Sequence, residues 1–241
     1  MKILVFSDVH ANLTALEAVL ADAGAVDAYW FLGDLVGYGP DPAACIARVH
    51  ALPRVTRVLG NHDAAVLGQM PLEWFNSEAQ RLILWTREQL SEADMAFLAE
   101  APEQAVFNDI TLVHGSPRAP VTEYILTAEA AAEALKKAKT DFCFVGHTHQ
   151  PVRWQEEADG SIHRYAARAG ETVALTPRAV FNVGSVGQPR DGDPRAAYAL
   201  YDTNTHEWTW RRTPYDVKAV QQRMDALGLS PINARRLSAG R

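Results

Sequence analysis

Ile3-Leu4-Val5-Phe6 is an uninterrupted run of apolar, β-forming residues that stops at Ser7, with Asp8 and His10 following two residues apart. A strand with no polar position is buried on both faces, which places it in the interior of a central sheet. In an extended segment residues i and i+2 project to the same side. A carboxylate and an imidazole should therefore leave this strand together at its C-terminal end, the edge where open α/β sheets bind ligands. One Asp-x-His at a strand end is compatible with an idle surface loop. What constrains the chain is that the pattern recurs.

Asn12 is placed to cap a helix reaching about Ala23, with Leu13, Leu16, Val19 and Leu20 on one face. A short strand, Tyr29 to Leu32, then runs into Gly33-Asp34-Leu35-Val36-Gly37-Tyr38-Gly39. Strand, helix and strand in so few residues make a βαβ unit with parallel pairing, so Asp34 emerges at the same edge as Asp8. Pro42 to His50 predicts a second helix, and Val55 to Leu59 a third strand ending in Gly60-Asn61-His62-Asp63. An Asn amide oxygen is a competent hard ligand. His62 faces the same place, and Asp63 is positioned to hold its other ring nitrogen.

Residues 64–101 carry a helical signal, with Phe75, Ala79, Leu82, Ile83, Trp85 and Leu90 on one face and Ser91 capping a short second helix. Trp74, Phe75 and Trp85 are expected to be core and not a substrate platform. This segment is too small for its own core and is expected to be a helical insertion within a single domain spanning 1–241. Val106-Phe107 and Ile110 to Val113 predict a hairpin, followed by His114-Gly115-Ser116-Pro117. A helix from Thr127 to Ala138 leads to the strand Phe142 to Val145 and then Gly146-His147-Thr148-His149. The remainder alternates like a meander, interrupted by the Gly-rich stretch from Asn182 to Arg190. It closes with a helix from Asp216 to Leu227 and a tail beyond Pro231 expected to fray.

A net charge of −6 and a pI near 5.7 disfavour an extended nucleic-acid or membrane surface. A small anionic substrate remains compatible, because bound metal reverses the local sign. No apolar stretch approaches the ~20 residues of a membrane span, and no signal peptide is evident. The only cysteines, Cys45 and Cys143, sit among apolar neighbours and read as packing residues of a reducing, cytoplasmic setting.

Asp8, His10, Asp34, Asn61, His114, His147 and His149 all fall at the ends of expected strands. Seven oxygen and nitrogen donors exceed the needs of one ion and match two ions sharing a carboxylate. Without cysteine among them, a structural zinc site is disfavoured. Two close cations suit polarising a phosphoryl group and lowering the pKa of a bridging water that attacks in line. His62 is not needed as a ligand and is free to donate a proton to the departing oxygen. Four imidazoles favour Mn, Fe or Zn over Mg.

The ordered set Asp8-x-His10, Gly33-Asp34, Gly60-Asn61-His62-Asp63, His114-Gly115 and Gly146-His147-Thr148-His149 resembles the calcineurin-like metallophosphoesterase superfamily, closest to compact prokaryotic phosphodiesterases of the YfcE type. The resemblance implies a four-layer αββα sandwich of two mixed sheets, with the C-terminal meander in the second sheet. It implies one metal on Asp8, His10 and His149, the other on Asn61, His114 and His147, and Asp34 bridging. His62 would be the general acid, oriented by Asp63. The Gly-Asp loop lacks the Arg that protein Ser/Thr phosphatases carry there, which argues against a phosphoprotein substrate. Non-catalytic scaffolds of the superfamily have lost the catalytic His, whereas His62 is present. The expected activity is hydrolysis of small phosphodiesters by a metal-bridging hydroxide. The alternatives are a phosphomonoesterase, a dinucleoside polyphosphate hydrolase, or a metal-stabilised binding scaffold. Arg118 and Arg190 are the only clamps near the motifs, and Asn12, Tyr38 and Arg190 are the candidate substrate contacts.

Overall fold

Ile3 and Val5 point into one apolar layer and Leu4 and Phe6 into another, which is why the opening run has no polar position. In the computed structural model, which describes residues 1–241, this run is β1 (Lys2–Phe6). It pairs in parallel with β2 (Ala28–Phe31), which pairs in parallel with β3 (Val55–Arg57). The helices α1 (Leu13–Ala23) and α2 (Pro42–His50) form the crossovers and cover the Leu4 and Phe6 face. Asn12 caps α1 through its side chain, as its sequence position implies.

After β3 come α3 (Asn61–Val66), a 3₁₀ turn (Leu72–Trp74), α4 (Ser77–Glu88) and α5 (Glu92–Ala99). Ser91 and Asp94 close a capping box at the start of α5. The hairpin β4 (Gln104–Phe107) and β5 (Ile110–Val113) opens the second sheet. The helix α6 (Ala128–Lys137) then leads to β6 (Phe142–Val145), parallel to β5. The following strands are β7 (Val152–Glu156), β8 (Ile162–Ala166), β9 (Thr172–Ala174), β10 (Ala179–Asn182), β11 (Ala196–Asp202) and β12 (Glu207–Thr213).

These late strands do not all join the second sheet. One sheet runs β3-β2-β1-β11-β12-β9 and the other β4-β5-β6-β10-β7-β8. The chain leaves β10 in the second sheet, crosses along the Gly-rich stretch, and returns as β11 antiparallel to β1 in the first. The reason is visible in burial: Ala199, Tyr201, Trp208 and Trp210 project between the sheets against Ile3, Phe144 and Phe181. Val113, Cys143, Val145 and Val180 face outward onto Ala131, Ala134 and Leu135 of α6. Helices, sheet, sheet and helix thus form the four layers.

The tail is ordered. After α7 (Val217–Ala226), Ser230 caps α8 (Pro231–Ala239), whose Ala234 and Leu237 pack with Val220, Met224 and Leu82. The Gly240 carbonyl accepts from the Gly192 amide at 2.9 Å, tying the end of α8 to the body. No helix is long and apolar enough to cross a membrane.

Candidate metal centre and active site

The parallel strands β1, β2, β3, β5 and β6 all end at one edge, and the loops after them carry the polar residues singled out above. Asp8, His10, Asp34, Asn61, His62, His114, His147 and His149 are brought together there, every one of them buried. The extended-strand geometry expected for Asp-x-His is not how this is done. Asp8, His10, Asp34, His147 and His149 have φ of 54°, 48°, 60°, 65° and 58°, in the left-handed region. For residues with a Cβ, such conformations cost about 1–3 kcal/mol each and persist only where surrounding structure enforces them. The enforcement is visible: amides of Asp8, His10 and Ala11 donate to the carbonyls of Gly33, Asp34 and Leu35 at 2.9, 3.0 and 2.9 Å.

Two glycines are required by close approach. A Cβ on Gly60 would collide with the backbone amide and carboxylate of Asp34. One on Gly146 would strike Ser7 and lie 2.7 Å from Asp8 Oδ2. The loop after β6 is further held by Asn182, whose amide donates to the Gly146 carbonyl at 2.5 Å and to Thr148 Oγ1 at 3.0 Å. Sequence reading passed over Asn182 as part of a Gly-rich loop.

The imidazoles are aimed by their far nitrogens. His10 Nδ1 lies 3.2 Å from the Val36 carbonyl and His149 Nδ1 2.6 Å from that of Gln188, so each donates N–H there and turns a lone pair at Nε2 inward. Those two Nε2 atoms are 3.1 Å apart, with Asp8 Oδ1 3.2 Å from that of His149. On the other side His114 Nδ1 sits 2.7 Å from the Leu32 carbonyl, and His147 donates instead through Nε2 to Thr122 at 3.2 Å. His114 Nε2 then faces His147 Nδ1 at 3.0 Å and Asn61 Oδ1 at 3.1 Å. Between the two groups Asp34 Oδ2 is 3.6 Å from His10 Nε2 and 3.4 Å from His114 Nε2. Its Oδ1 accepts from the His62 amide at 2.9 Å.

Two anions and a ring of lone pairs converging in a buried space demand positive charge. Asp8 Oδ1 is buried without a hydrogen-bond partner. Burial works against charge on both Asp8 and Asp34, yet the imidazoles around them hold both well below the usual carboxylate range. Burial also opposes charge on His114, but Asp34 outweighs it and lifts the imidazole to about 9. Asp8, His10 and His149 form one set of converging donors and Asp34, His114 and His147 another, with ligand atoms inside 4.8 Å in each. These residues fit a pair of divalent ions.

His62 lies beside this centre, in range of His10 and Asp34. Its ring packs at 4.4 Å from Tyr38 and 5.2 Å from Phe75, and its Nδ1 has no partner. The expectation that Asp63 holds that ring is not met. The Asp63 carboxylate accepts from the backbone amides of Asp34, Leu35 and Val36 at 2.9, 2.9 and 3.1 Å, and from Gly60 at 3.3 Å. It fastens the Asp34 loop to the start of α3, a role open to a carboxylate wherever several amides point one way.

Other expectations are also revised. Asn12 is buried and fully engaged, its Oδ1 accepting from the Ala15 amide and its Nδ2 donating to Gly187, so it supports the loop rather than a substrate. Arg118 is paired with Glu123 away from the centre. Trp74 is not core: it is exposed and lines the opening over the site, while Phe75 packs on His62. Tyr38 and Arg190 do line that opening, together with Tyr124 and Arg236, which sequence reading missed. For Arg236 a signal existed, because Ser230-Pro231 and Gly240 are ordinary helix start and stop residues.

The model of the calcineurin-like phosphoesterase superfamily domain matches residues 1–206. Protein MJ0912 of Methanocaldococcus jannaschii is 32% identical over 245 residues, covering 99% of this chain and 98% of that one. Phosphodiesterase YfcE of Escherichia coli is 29% identical over 212 residues, covering 85% and 89%. The crystal structure of a metallophosphoesterase from Sphaerobacter thermophilus, 42% identical, superposes with a TM-score of 0.91 over 100% of this chain and 99% of the other. With a family match over most of its length and a buried donor set suited to two divalent ions, the chain belongs to the calcineurin-like phosphoesterase superfamily and is a metal-dependent phosphoesterase.

Proposed function

We propose that the protein hydrolyses small phosphodiesters, with Asp8, His10 and His149 holding one divalent ion, Asn61, His114 and His147 the other, Asp34 shared, and His62 serving the departing oxygen. The observation that carries this reading is the place of Asp34 Oδ2, between His10 and His114 at 3.6 and 3.4 Å, with His62 unengaged beside it. Bound there, Mn, Fe or Zn would supply Lewis-acid polarisation of the phosphoryl oxygens and activation of water. The remaining work falls to the chain. Asp34 fixes the His62 backbone through Oδ1, so the carboxylate that would be shared by the ions also sets where the imidazole stands. Water adds its oxygen to phosphorus, the bond from phosphorus to the departing oxygen breaks, and His62 gives that oxygen a proton, regained from the incoming water. Burial pushes His62 down to about 4, and the neighbouring Asp34 carboxylate works in the opposite direction.

The diester preference follows from charge and room. A monoester dianion needs cations around all its free oxygens, whereas a diester monoanion needs space for a second organic group. The opening has a volume of about 310 Å³, room for a second organic group, and its two basic side chains, Arg190 and Arg236, come from outside the Gly-Asp loop. With the same metal loading, kcat/KM for bis(4-nitrophenyl) phosphate is expected to exceed that for 4-nitrophenyl phosphate. A tenfold or greater preference for the monoester would replace this reading with a phosphomonoesterase.

A further inference from the structure

Four side chains at the opening take no part in the chemistry described above: Trp74, Tyr124, Arg190 and Arg236. They come from four separate segments yet line one cleft, which also reaches His62 and His147. Tyr124 stacks on the His147 ring at 3.7 Å between centroids and 22° between planes, and is still 48% exposed. One of its faces is fixed against a metal-ligand residue while the rest lies open. Trp74, at the end of the 3₁₀ turn, is 67% exposed. Two large aromatic surfaces left open inside a polar cleft are stacking platforms, since any aromatic ring can lie on them.

The charges point the same way. Arg190 is steered by Gln188, whose Oε1 accepts from Nη2 at 2.7 Å and Nε at 3.3 Å, and its guanidinium sits 5.8 Å from the centre of the Tyr38 ring. Neither Arg190 nor Arg236 has a carboxylate within 4.0 Å, although acidic residues outnumber basic ones in the chain by 29 to 23. No Asp or Glu lines the cleft at all. The single charge of a diester would be met by the ions, which leaves two guanidiniums for anionic groups beyond the reacting one.

We propose that this cleft binds a nucleotide carrying at least one phosphate in addition to the one under attack, its base stacked on Tyr124 or Trp74 and its extra phosphate held by Arg190 and Arg236. The inference rests on the phosphodiesterase reading and narrows it, because an internal phosphorus of such a nucleotide likewise carries two substituted oxygens, at least one of them an anhydride. The hydrolytic step is unchanged: oxygen from water joins phosphorus, the bond to the departing oxygen breaks, and that oxygen takes a proton.

The test uses the metal-loaded protein hydrolysing bis(4-nitrophenyl) phosphate, with inorganic phosphate, AMP and ADP as competitors. Inhibition should tighten by about tenfold from phosphate to AMP, through base stacking, and by about tenfold again from AMP to ADP, through the added charge-assisted hydrogen bonds. Trp74→Ala combined with Tyr124→Leu should remove the first gain, and Arg236→Gln the second, each variant being checked for unchanged metal content. A flat series in the wild type, or gains that survive these substitutions, would overturn the nucleotide assignment while leaving the hydrolase reading intact. Absence of hydrolysis with every metal tried would overturn both.

Discussion

Asp34→Asn is expected to lower activity by more than about 10³-fold and to leave the protein unable to retain a second metal ion. Replacing an outer partner of a metal ligand costs ~10–100-fold in affinity or activity, and Asp34 stands closer than that. Its Oδ2 is the one atom within 3.6 Å of imidazoles from both halves of the site. Asn keeps the shape but removes the negative charge between two cations, so each should bind more weakly. The substitution is a fair probe because Asn accepts a left-handed backbone, here at φ of 60°, and its amide oxygen can still accept from the His62 N–H. Fold and thermal stability of the metal-free protein should therefore change little. Two tightly held ions in Asp34→Asn, measured by elemental analysis after dialysis, would place the bridge elsewhere.

The second large effect separates proton transfer from metal binding. His62→Gln should retain both metals and slow turnover by ~10²–10⁴-fold, the range for losing general-acid assistance. The loss should depend on the leaving group. Nitrophenolate departs without a proton, so esters of nitrophenol should suffer least and esters of simple alcohols most. The ring is free of hydrogen bonds that would tie up its proton: Nδ1 is buried without a partner, and Tyr38 and Phe75 pack against the imidazole. Equal losses for good and poor leaving groups would remove His62 from the proton path and leave it a positioning residue.

The ends of the parallel strands were legible because burial on both faces forces an apolar run, and the abrupt return of Asp, Asn and His marks where it stops. That logic marks all seven side chains that the fold brings together at the site. It did not reveal how they converge. Left-handed backbone at Asp8, His10, Asp34, His147 and His149 carries no local signature, since these residue types also occupy ordinary loops. Asp63 was misread for a related reason: neighbouring His62 in sequence suggests a contact, but the carboxylate is drawn to four backbone amides brought close by the fold. The division of the late strands between two sheets depends on which apolar side chains meet in space, with Ile3 and Tyr201 paired although 198 residues apart in sequence. Arg236 lies in the tail expected to fray, where Ser230, Pro231 and Gly240 instead spell a capped helix. Trp74 was read as core because aromatic spacing alone does not distinguish a buried stripe from a surface platform.

One buried site should hold two divalent ions through a shared carboxylate, and hydrolysis should need both. Stripping the protein with chelator and titrating Mn back while following bis(4-nitrophenyl) phosphate hydrolysis tests this directly. Close to two ions should bind per chain, with activity appearing mainly as the second is taken up. Full activity at one ion per chain, or saturation at one, would contradict it.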